Sequence, residues 1–159
     1  MNGRRELTSR CFRQRFSENW KLNRSYLKTL EISTGASMEL KDISGLVNNC
    51  VEEAGIQNGI VLVYTPHTTA GITINENADP SVKSDMIKFF SEMVPDKSYF
   101  RHMEGNSSSH IMSSLISPSQ SFILDNGRLI LGTWQGIFFC EFDGPRSRKV
   151  YVKILSEDQ

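Results

Sequence analysis

The chain has few cysteines, few histidines and no long hydrophobic run. Its three cysteines are an odd number without CxxC spacing, which argues against a disulfide framework and favours buried thiols in a reducing compartment. No apolar run approaches the about 18 residues of a membrane-spanning helix, and no signal-peptide core follows the first residues. The sequence therefore predicts a cytoplasmic protein without a membrane partner, or an organellar one if its start is a transit peptide.

Several familiar catalytic motifs are also missing. The chain contains no GxGxxG dinucleotide motif, no phosphate-binding P-loop, no GxSxG nucleophile turn and no HExxH zinc motif. These absences argue against the nucleotide-binding folds and the hydrolases that such motifs define. Any function has to be inferred from side chains that are dispersed along the sequence.

Charge is balanced overall but unevenly distributed. The chain has 18 basic and 18 acidic residues, and residues 1–24 hold seven of the basic and two of the acidic ones. The remainder has 11 basic and 16 acidic residues, a net charge of −5, which argues against nucleic-acid binding by that part. We predict a basic, poorly ordered extension over residues 1–24, with a transit peptide or a nucleic-acid contact as alternatives, and a folded domain over 25–159.

Alternation of apolar and polar residues predicts six or seven strands and about three helices. Asp42 is positioned to cap a helix that ends at Gly55, and Asp79 followed by Pro80 predicts the start of a second helix. Residues 59–65 are a continuous β-branched run, which predicts a central strand buried on both faces. The pattern favours a single α+β domain with mostly antiparallel or mixed β-sheets.

The second half of the chain adds a hairpin and a third helix. Asn126-Gly127 between two apolar segments is the strongest short signal for a hairpin. The polar loop over residues 95–109 precedes a short third helix, and long ordered loops tend to be functional. Met and Phe residues at helical spacing over 82–93 predict a helix face in the core, and Trp134 is expected in the core or at a subunit interface.

All three histidines, His67, His102 and His110, lie within 44 consecutive residues. Neutral imidazole is the commonest zinc ligand, and three protein ligands with an open fourth position is the arrangement of catalytic zinc. Their spacing matches neither a zinc finger nor HExxH. From spacing alone, three independent histidines are at least as well supported as a shared metal or acid–base site.

Two carboxylates and one amide are candidate catalytic groups. Glu76 follows an apolar strand beside a helix start, where a carboxylate can act as a general base or metal ligand, or simply form a salt bridge or cap. Asp85 lies near the polar side of the second helix, where a solvated carboxylate is the default. Gln135, within the GTWQG sequence at 132–136, is placed to hydrogen-bond or orient a ligand.

Arginines and hydroxyls in loops are candidates for phosphate binding. Arg146 and Arg148 follow Gly144-Pro145, Arg128 follows the hairpin turn, and a guanidinium matches the geometry of a phosphate or carboxylate. Serines at 107–109 before the third helix would add hydroxyls and backbone N–H groups that suit an anion. Solvated charge is the alternative interpretation for Arg146 and Arg148.

Several motifs occur here in the same order as in one known family. They are HTTA at 67–70, NENADP at 75–80, GTWQG at 132–136 and GPRSR at 144–148. Over about residues 25–155 the chain thereby resembles the YjbQ-like family, long filed as uncharacterised and sometimes given the label secondary thiamine-phosphate synthase. The resemblance implies an α+β fold, a homotrimer and one site that contains all three histidines.

The resemblance also implies a set of site residues. The candidates are His67, His102 and His110 as metal ligands, Glu76, Asp85 and Gln135 as catalytic groups, and Thr68, Thr69, Asn106, Arg146 and Arg148 as groups that bind substrate or phosphate. We expect an enzyme, either a thiamine-phosphate synthase-like transferase or a metal-dependent hydrolase, acting on a small phosphorylated metabolite. The synthase reaction normally uses Mg²⁺ on oxygen ligands, whereas three histidines suit zinc better. The alternative is a non-catalytic trimer that binds a metabolite or a metal.

Overall fold

The computed structural model of the protein describes residues 24–157. Within these residues the chain forms eight strands and three helices in two antiparallel sheets, which confirms the α+β class. The elements are β1 Ser25–Ser33, β2 Glu39–Asp42, α1 Ser44–Ala54, β3 Gly59–Tyr64, β4 Ala70–Glu76, α2 Pro80–Met93, α3 Ser107–Ile116, β5 Ser119–Asp125, β6 Arg128–Leu129, β7 Gln135–Glu141 and β8 Ser147–Ser156. Nearly all of the basic extension expected over residues 1–24 lies outside the described residues.

The two sheets pack face to face, and two helices cover the smaller one. The larger sheet has the strand order β1-β8-β3-β5-β6 and the smaller sheet β2-β7-β4. The main apolar core joins their inner faces and includes Val61, Val152 and Phe139. A second core, which contains Phe138 and Met112, lies between the smaller sheet and helices α2 and α3. The smaller sheet is therefore the middle layer of the domain.

The strand buried on both faces is β7 rather than β3, which corrects the expectation from the sequence. In β7, Ile137, Phe138 and Phe139 are all 0% exposed. In β3, Ile60 and Leu62 are each 37% exposed and alternate with fully buried residues. The difference arises because β7 lies in the middle layer, whereas no layer of the described chain covers the outward side of β3.

That uncovered side of the larger sheet is apolar, and we refer to it as the outer face. The strand register places on it six apolar residues that are 37–61% exposed, namely Leu27, Ile60, Leu62, Tyr64, Ile123 and Leu155. Lys153 lies among them and donates from Nζ to Ser25 Oγ at 3.0 Å. A contiguous exposed apolar surface of this kind is typical of an interaction surface.

Local signals located the helices and the hairpin correctly. Asp79 Oδ1 accepts a backbone N–H of α2 at 2.8 Å, Asp42 Oδ1 accepts the first N–H of α1 at 2.9 Å, and Gly55 ends α1 with a left-handed φ of 62°. The turn between β5 and β6 has positive φ values at Asn126 (48°) and Gly127 (73°), as the hairpin requires.

The expected apolar face of α2 is only partly buried. Phe89 is 60% and Met93 45% exposed, whereas Phe90 packs against the second core. The helix lies on the outside of the smaller sheet, so only one narrow side of it meets that core. None of the helices within residues 24–157 has the length and apolar character needed to cross a membrane.

Candidate functional site

The loop before α3 brings two of the three histidines together. His110 lies near the start of α3 and His102 in the preceding loop, and their ring centroids are 5.1 Å apart. Both line an open cleft of about 560 Å³ together with Arg101 and Ser107. We refer to it as the His102 cleft. Among the described residues no carboxylate lines this cleft, so the side chains in it that can carry charge near neutral pH are basic.

The His102 cleft suits an anionic group. Ser107 is the first residue of α3, and the start of a helix presents unpaired backbone N–H groups and a partial positive charge. The exposed side chain of Arg101 adds a guanidinium, whose geometry matches a phosphate. Arg101 was missed by sequence reasoning, because its only signal is its position next to His102.

His67 does not line the His102 cleft. It follows β3 and shares with His110 and Thr68 a second open cleft of about 400 Å³, the His67 cleft. His67 Nε2 accepts a hydrogen bond from the Lys149 N–H at 2.8 Å, so the neutral ring carries its proton on Nδ1. Burial, aided by the nearby charge of Arg148, lowers the pKa of His67 and favours this neutral form.

The three histidines do not form one metal-binding cluster within the chain. His110 lines both clefts, yet no three His, Cys, Asp or Glu side chains among residues 24–157 are placed to hold an ion together. His67 Nε2 is already engaged by a backbone N–H. His102 and His110 supply only two imidazoles, whereas a zinc site takes three or four protein ligands. The expected three-histidine zinc site therefore does not fit a single chain.

Two of the three arginines considered for phosphate binding form ion pairs within the chain. Arg148 is 6% exposed and donates from Nε and Nη2 to the Glu141 carboxylate at 2.7 and 2.5 Å. Its Nη2 also donates to Thr69 Oγ1 at 2.9 Å. Arg146 pairs with Asp143 at 2.7 Å. Neither arginine lines the His102 or His67 cleft, so a role in phosphate binding stays a prediction that this placement does not favour.

Asn106 connects α3 to the loop that contains Asp143. It is the residue just before α3, and its Nδ2 donates to Asp143 Oδ2 at 3.0 Å. Its Oδ1 is buried and accepts no hydrogen bond from any described residue. A buried carbonyl oxygen without a donor is unfavourable, so Asn106 stays a candidate for binding a ligand.

The predicted catalytic residues lie away from the histidines. Glu76 and Gln135 are paired across β4 and β7 and line a third cleft together with Trp134. Glu76 lies six positions along extended β4 from Ala70, which is at the histidine end, and this corresponds to about 20 Å. Asp85 is exposed on α2 and lines none of these three clefts. Their catalytic roles stay predictions, and a single chain does not bring them to the imidazoles.

Neither described cysteine is suited to nucleophilic chemistry. Cys50 and Cys140 are both buried, as the odd cysteine count led us to expect. Burial raises the pKa of the Cys140 thiol to about 12 and also raises that of Cys50. A reactive cysteine needs exposure and a lowered pKa, so neither of these two thiols is a candidate nucleophile. Cys11 lies outside the described residues.

The chain matches one known family over most of its length. Residues 28–157 match the family described as UPF0047 protein YjbQ-like. UPF0047 protein YugU of Bacillus subtilis is 56% identical over 130 residues, which cover 81% of this chain and 98% of that protein. UPF0047 protein MJ1081 of Methanocaldococcus jannaschii is 54% identical over 127 residues, which cover 80% of this chain and 92% of that protein.

Solved structures share the fold. An uncharacterized conserved protein of the yjbq/upf0047 family from Clostridium acetobutylicum has a TM-score of 0.78 at 50% identity, covering 80% of this chain and 98% of that one. A YbjQ-like protein of unknown function from Sulfolobus solfataricus has a TM-score of 0.82 at 33% identity, covering 86% of this chain and all of that one. These descriptions name no activity, ligand or assembly.

Proposed function

We propose that this chain, which belongs to the YjbQ-like family of UPF0047 proteins, is an enzyme acting on a small phosphorylated substrate at the His102 cleft. The observation that carries the proposal is the separation of 5.1 Å between two imidazoles beside Arg101 and the start of α3. Basic and N–H groups without a carboxylate suit an anion, and imidazoles suit proton transfer.

Arg101, His110, His67 and Thr68 are assigned the following roles at the two clefts. Arg101 and the first backbone N–H groups of α3 bind the phosphate. His110, which lines both clefts, exchanges a proton with the substrate. His67 is neutral with its proton on Nδ1, so it donates a hydrogen bond to the part of the substrate in the His67 cleft. Thr68 adds a hydroxyl there.

Metal binding is a separate part of the proposal. His102 and His110 would be the zinc ligands, and the remaining ligands would have to come from substrate or from another subunit. Mg²⁺ would be the ion if the reaction is that of a thiamine-phosphate synthase, since Mg²⁺ prefers oxygen ligands. The proton-transfer role of His110 applies to the site without zinc, because a ring nitrogen bound to zinc cannot exchange a proton.

Assembly as a homotrimer is also proposed. The outer face, with six apolar residues 37–61% exposed, supports association, and the number of three subunits rests on the family resemblance alone. A cytoplasmic location likewise stays a proposal.

The second candidate function is a non-catalytic trimer that binds a metabolite or a metal. It is favoured by the burial of both described cysteines, because these residues then supply no thiol nucleophile. The two candidate functions share the same ligand site and differ only in turnover.

Calorimetric titration with pyrophosphate tests the site. We expect His110→Gln and Arg101→Gln each to weaken binding about tenfold or more, because each removes a charged or polar hydrogen-bond partner of the anion. Arg128→Gln, at an exposed arginine on β6, is the control and should bind pyrophosphate like the parent. If all three variants bind equally, the His102 cleft is not the phosphate site.

Turnover assays then separate the two candidate functions. The protein is assayed for condensation of a pyrimidine diphosphate with a thiazole phosphate, and for hydrolysis of phosphate esters, with Zn²⁺ or Mg²⁺ added. Turnover that His110→Gln abolishes supports the enzyme, whereas pyrophosphate binding without turnover supports the binding protein. Elemental analysis after incubation in excess Zn²⁺ tests the metal part, which fails if no zinc is retained.

A further inference from the structure

A cleft at the end of the molecule away from the histidines exposes a tryptophan. It lies between the end of β4 and the segment that leads into β7, has a volume of about 530 Å³ and is lined in part by Ile74, Glu76, Trp134 and Gln135. Trp134 is 66% exposed, which excludes the core and leaves a subunit interface as the other position expected from the sequence. We refer to this site as the Trp134 cleft. An indole left this open is a large apolar surface that the folded chain itself does not use.

The backbone that carries Trp134 is held on both sides. The Asn77 N–H donates to the Trp134 carbonyl oxygen at 2.8 Å, and the Gln135 N–H donates to the Gly132 carbonyl oxygen at 2.9 Å. Gln135 Oε1 accepts the Gly132 N–H at 2.7 Å, so this side chain closes the segment on itself. Because these bonds already order the segment, a ligand that binds to the indole loses little free energy in ordering it.

The negative charge of Glu76 and the absence of a basic residue among the described lining favour a cation in the Trp134 cleft. The Glu76 N–H donates to Asn75 Oδ1, but no hydrogen bond or ion pair within residues 24–157 engages the Glu76 carboxylate. Over the same residues no Lys, Arg or His lines the cleft. The face of an indole carries the negative part of its quadrupole and attracts cations. The carboxylate and the indole therefore favour the same sign of ligand charge.

We propose that the Trp134 cleft binds a small organic cation of the substituted or quaternary ammonium class. The methyl groups of such a cation pack against the indole and Ile74, and Glu76 neutralises its charge. An anionic ligand is disfavoured because it would meet Glu76 without a basic neighbour. The site lies about 20 Å along β4 from the histidine end, and it does not rest on the proposed enzymatic function.

Tryptophan fluorescence of the full chain tests the proposal. The sequence contains two tryptophans, so Trp20→Phe leaves Trp134 as the single tryptophan. Titration with choline should change its emission saturably. The neutral carbon isostere 3,3-dimethylbutan-1-ol has the same shape without the charge and should bind at least about tenfold more weakly.

Variants of the cleft complete the test. Glu76→Gln keeps the size of the side chain and should weaken choline binding about tenfold while removing the preference over the alcohol. Trp134→Leu should abolish choline binding. Calorimetry measures this variant, because it lacks the tryptophan that reports binding by fluorescence. Tyr99→Leu removes a different aromatic residue, 72% exposed and outside the cleft, and should bind choline like the parent.

Three results would overturn the proposal. The first is equal affinity for choline and the alcohol, and the second is an equal loss of binding in the Tyr99 and Trp134 variants. The third is a Trp134 emission that neither choline nor acrylamide alters, because a second copy of the chain would then cover the cleft.

Discussion

Replacing Arg148 by methionine should remove a large part of the stability of the fold. Arg148 is 6% exposed and its partner Glu141 is 0% exposed. The change deletes two hydrogen bonds to a charged group, each worth about 1.5–3 kcal/mol, and leaves the carboxylate buried without its counter-charge. We expect the free energy of unfolding to fall by about 3–5 kcal/mol, the range for breaking a buried ion pair from one side.

Other donors keep this loss from being larger. The Glu141 carboxylate also accepts the N–H groups of Phe142 at 3.1 Å and Asp143 at 2.9 Å, and the Thr34 hydroxyl at 3.1 Å. These donors compensate part of the cost of an isolated buried charge. Adding Glu141→Gln to Arg148→Met removes that charge while keeping an oxygen to accept from them, so the double variant should recover part of the lost stability.

Urea unfolding followed by circular dichroism measures the effect. Protein concentration is held fixed, because the proposed assembly of subunits would couple to folding. Arg146→Met is the matched control, since Arg146 is paired with Asp143 at 2.7 Å but its side chain is 50% exposed, and it should cost at most about 1 kcal/mol. If the two methionine variants lose the same stability, or if Arg148→Met costs less than about 1 kcal/mol, the argument from burial is wrong.

Three further changes test the outer face, the neutral histidine and a close backbone approach. Leu62→Asp should convert the proposed trimer to smaller species in light scattering, because it places a charge on the outer face. In urea unfolding, the free energy of unfolding of the parent should fall as the pH drops below about 6.5, because the lowered pKa of His67 makes the unfolded chain the better proton acceptor there. His67→Gln should remove the part of this fall that is due to His67. Gly59→Ala should cost at least about 2 kcal/mol, since its Cβ would lie 1.9 Å from the Leu155 carbonyl oxygen, whereas Gly45→Ala meets nothing within 4 Å and should be neutral or slightly stabilising. The respective arguments would be contradicted by a trimer that persists in Leu62→Asp, by an unchanged loss of stability at acid pH in His67→Gln, or by equal effects of the two alanine variants.

The features that were predicted from the sequence depend on short-range signals. Asp79 with Pro80 specifies a helix start through one side-chain hydrogen bond and one fixed φ, and Asn126 with Gly127 specifies a tight turn. Both act within a few residues, so they hold in almost any tertiary setting. The apolar run of β3 does not specify by itself whether the strand is buried on one face or on two. That depends on which layers the rest of the chain packs against it.

The candidate site was predicted only in part, for the same reason. His102 and His110 are eight residues apart, and the loop and first turn of α3 bring them together locally. Glu76 is only nine residues from His67, yet extended β4 carries it to the other end of the molecule. Arg148 on β8 pairs with Glu141 on β7, and these two strands belong to different sheets. The pairing therefore depends on how the two sheets pack, which the sequence pattern does not specify.

The position of the His67 cleft couples the proposed assembly to the proposed site. Tyr64 lines this cleft and also lies on the outer face. A second subunit packed on the outer face would therefore reach the rim of the cleft, where it could supply a further ligand or exclude water. In that case Leu62→Asp, which lies outside the cleft lining, should weaken pyrophosphate binding as it dissociates the trimer. If the dissociated chain binds pyrophosphate like the parent, the histidine clefts are complete within one subunit and assembly serves stability alone.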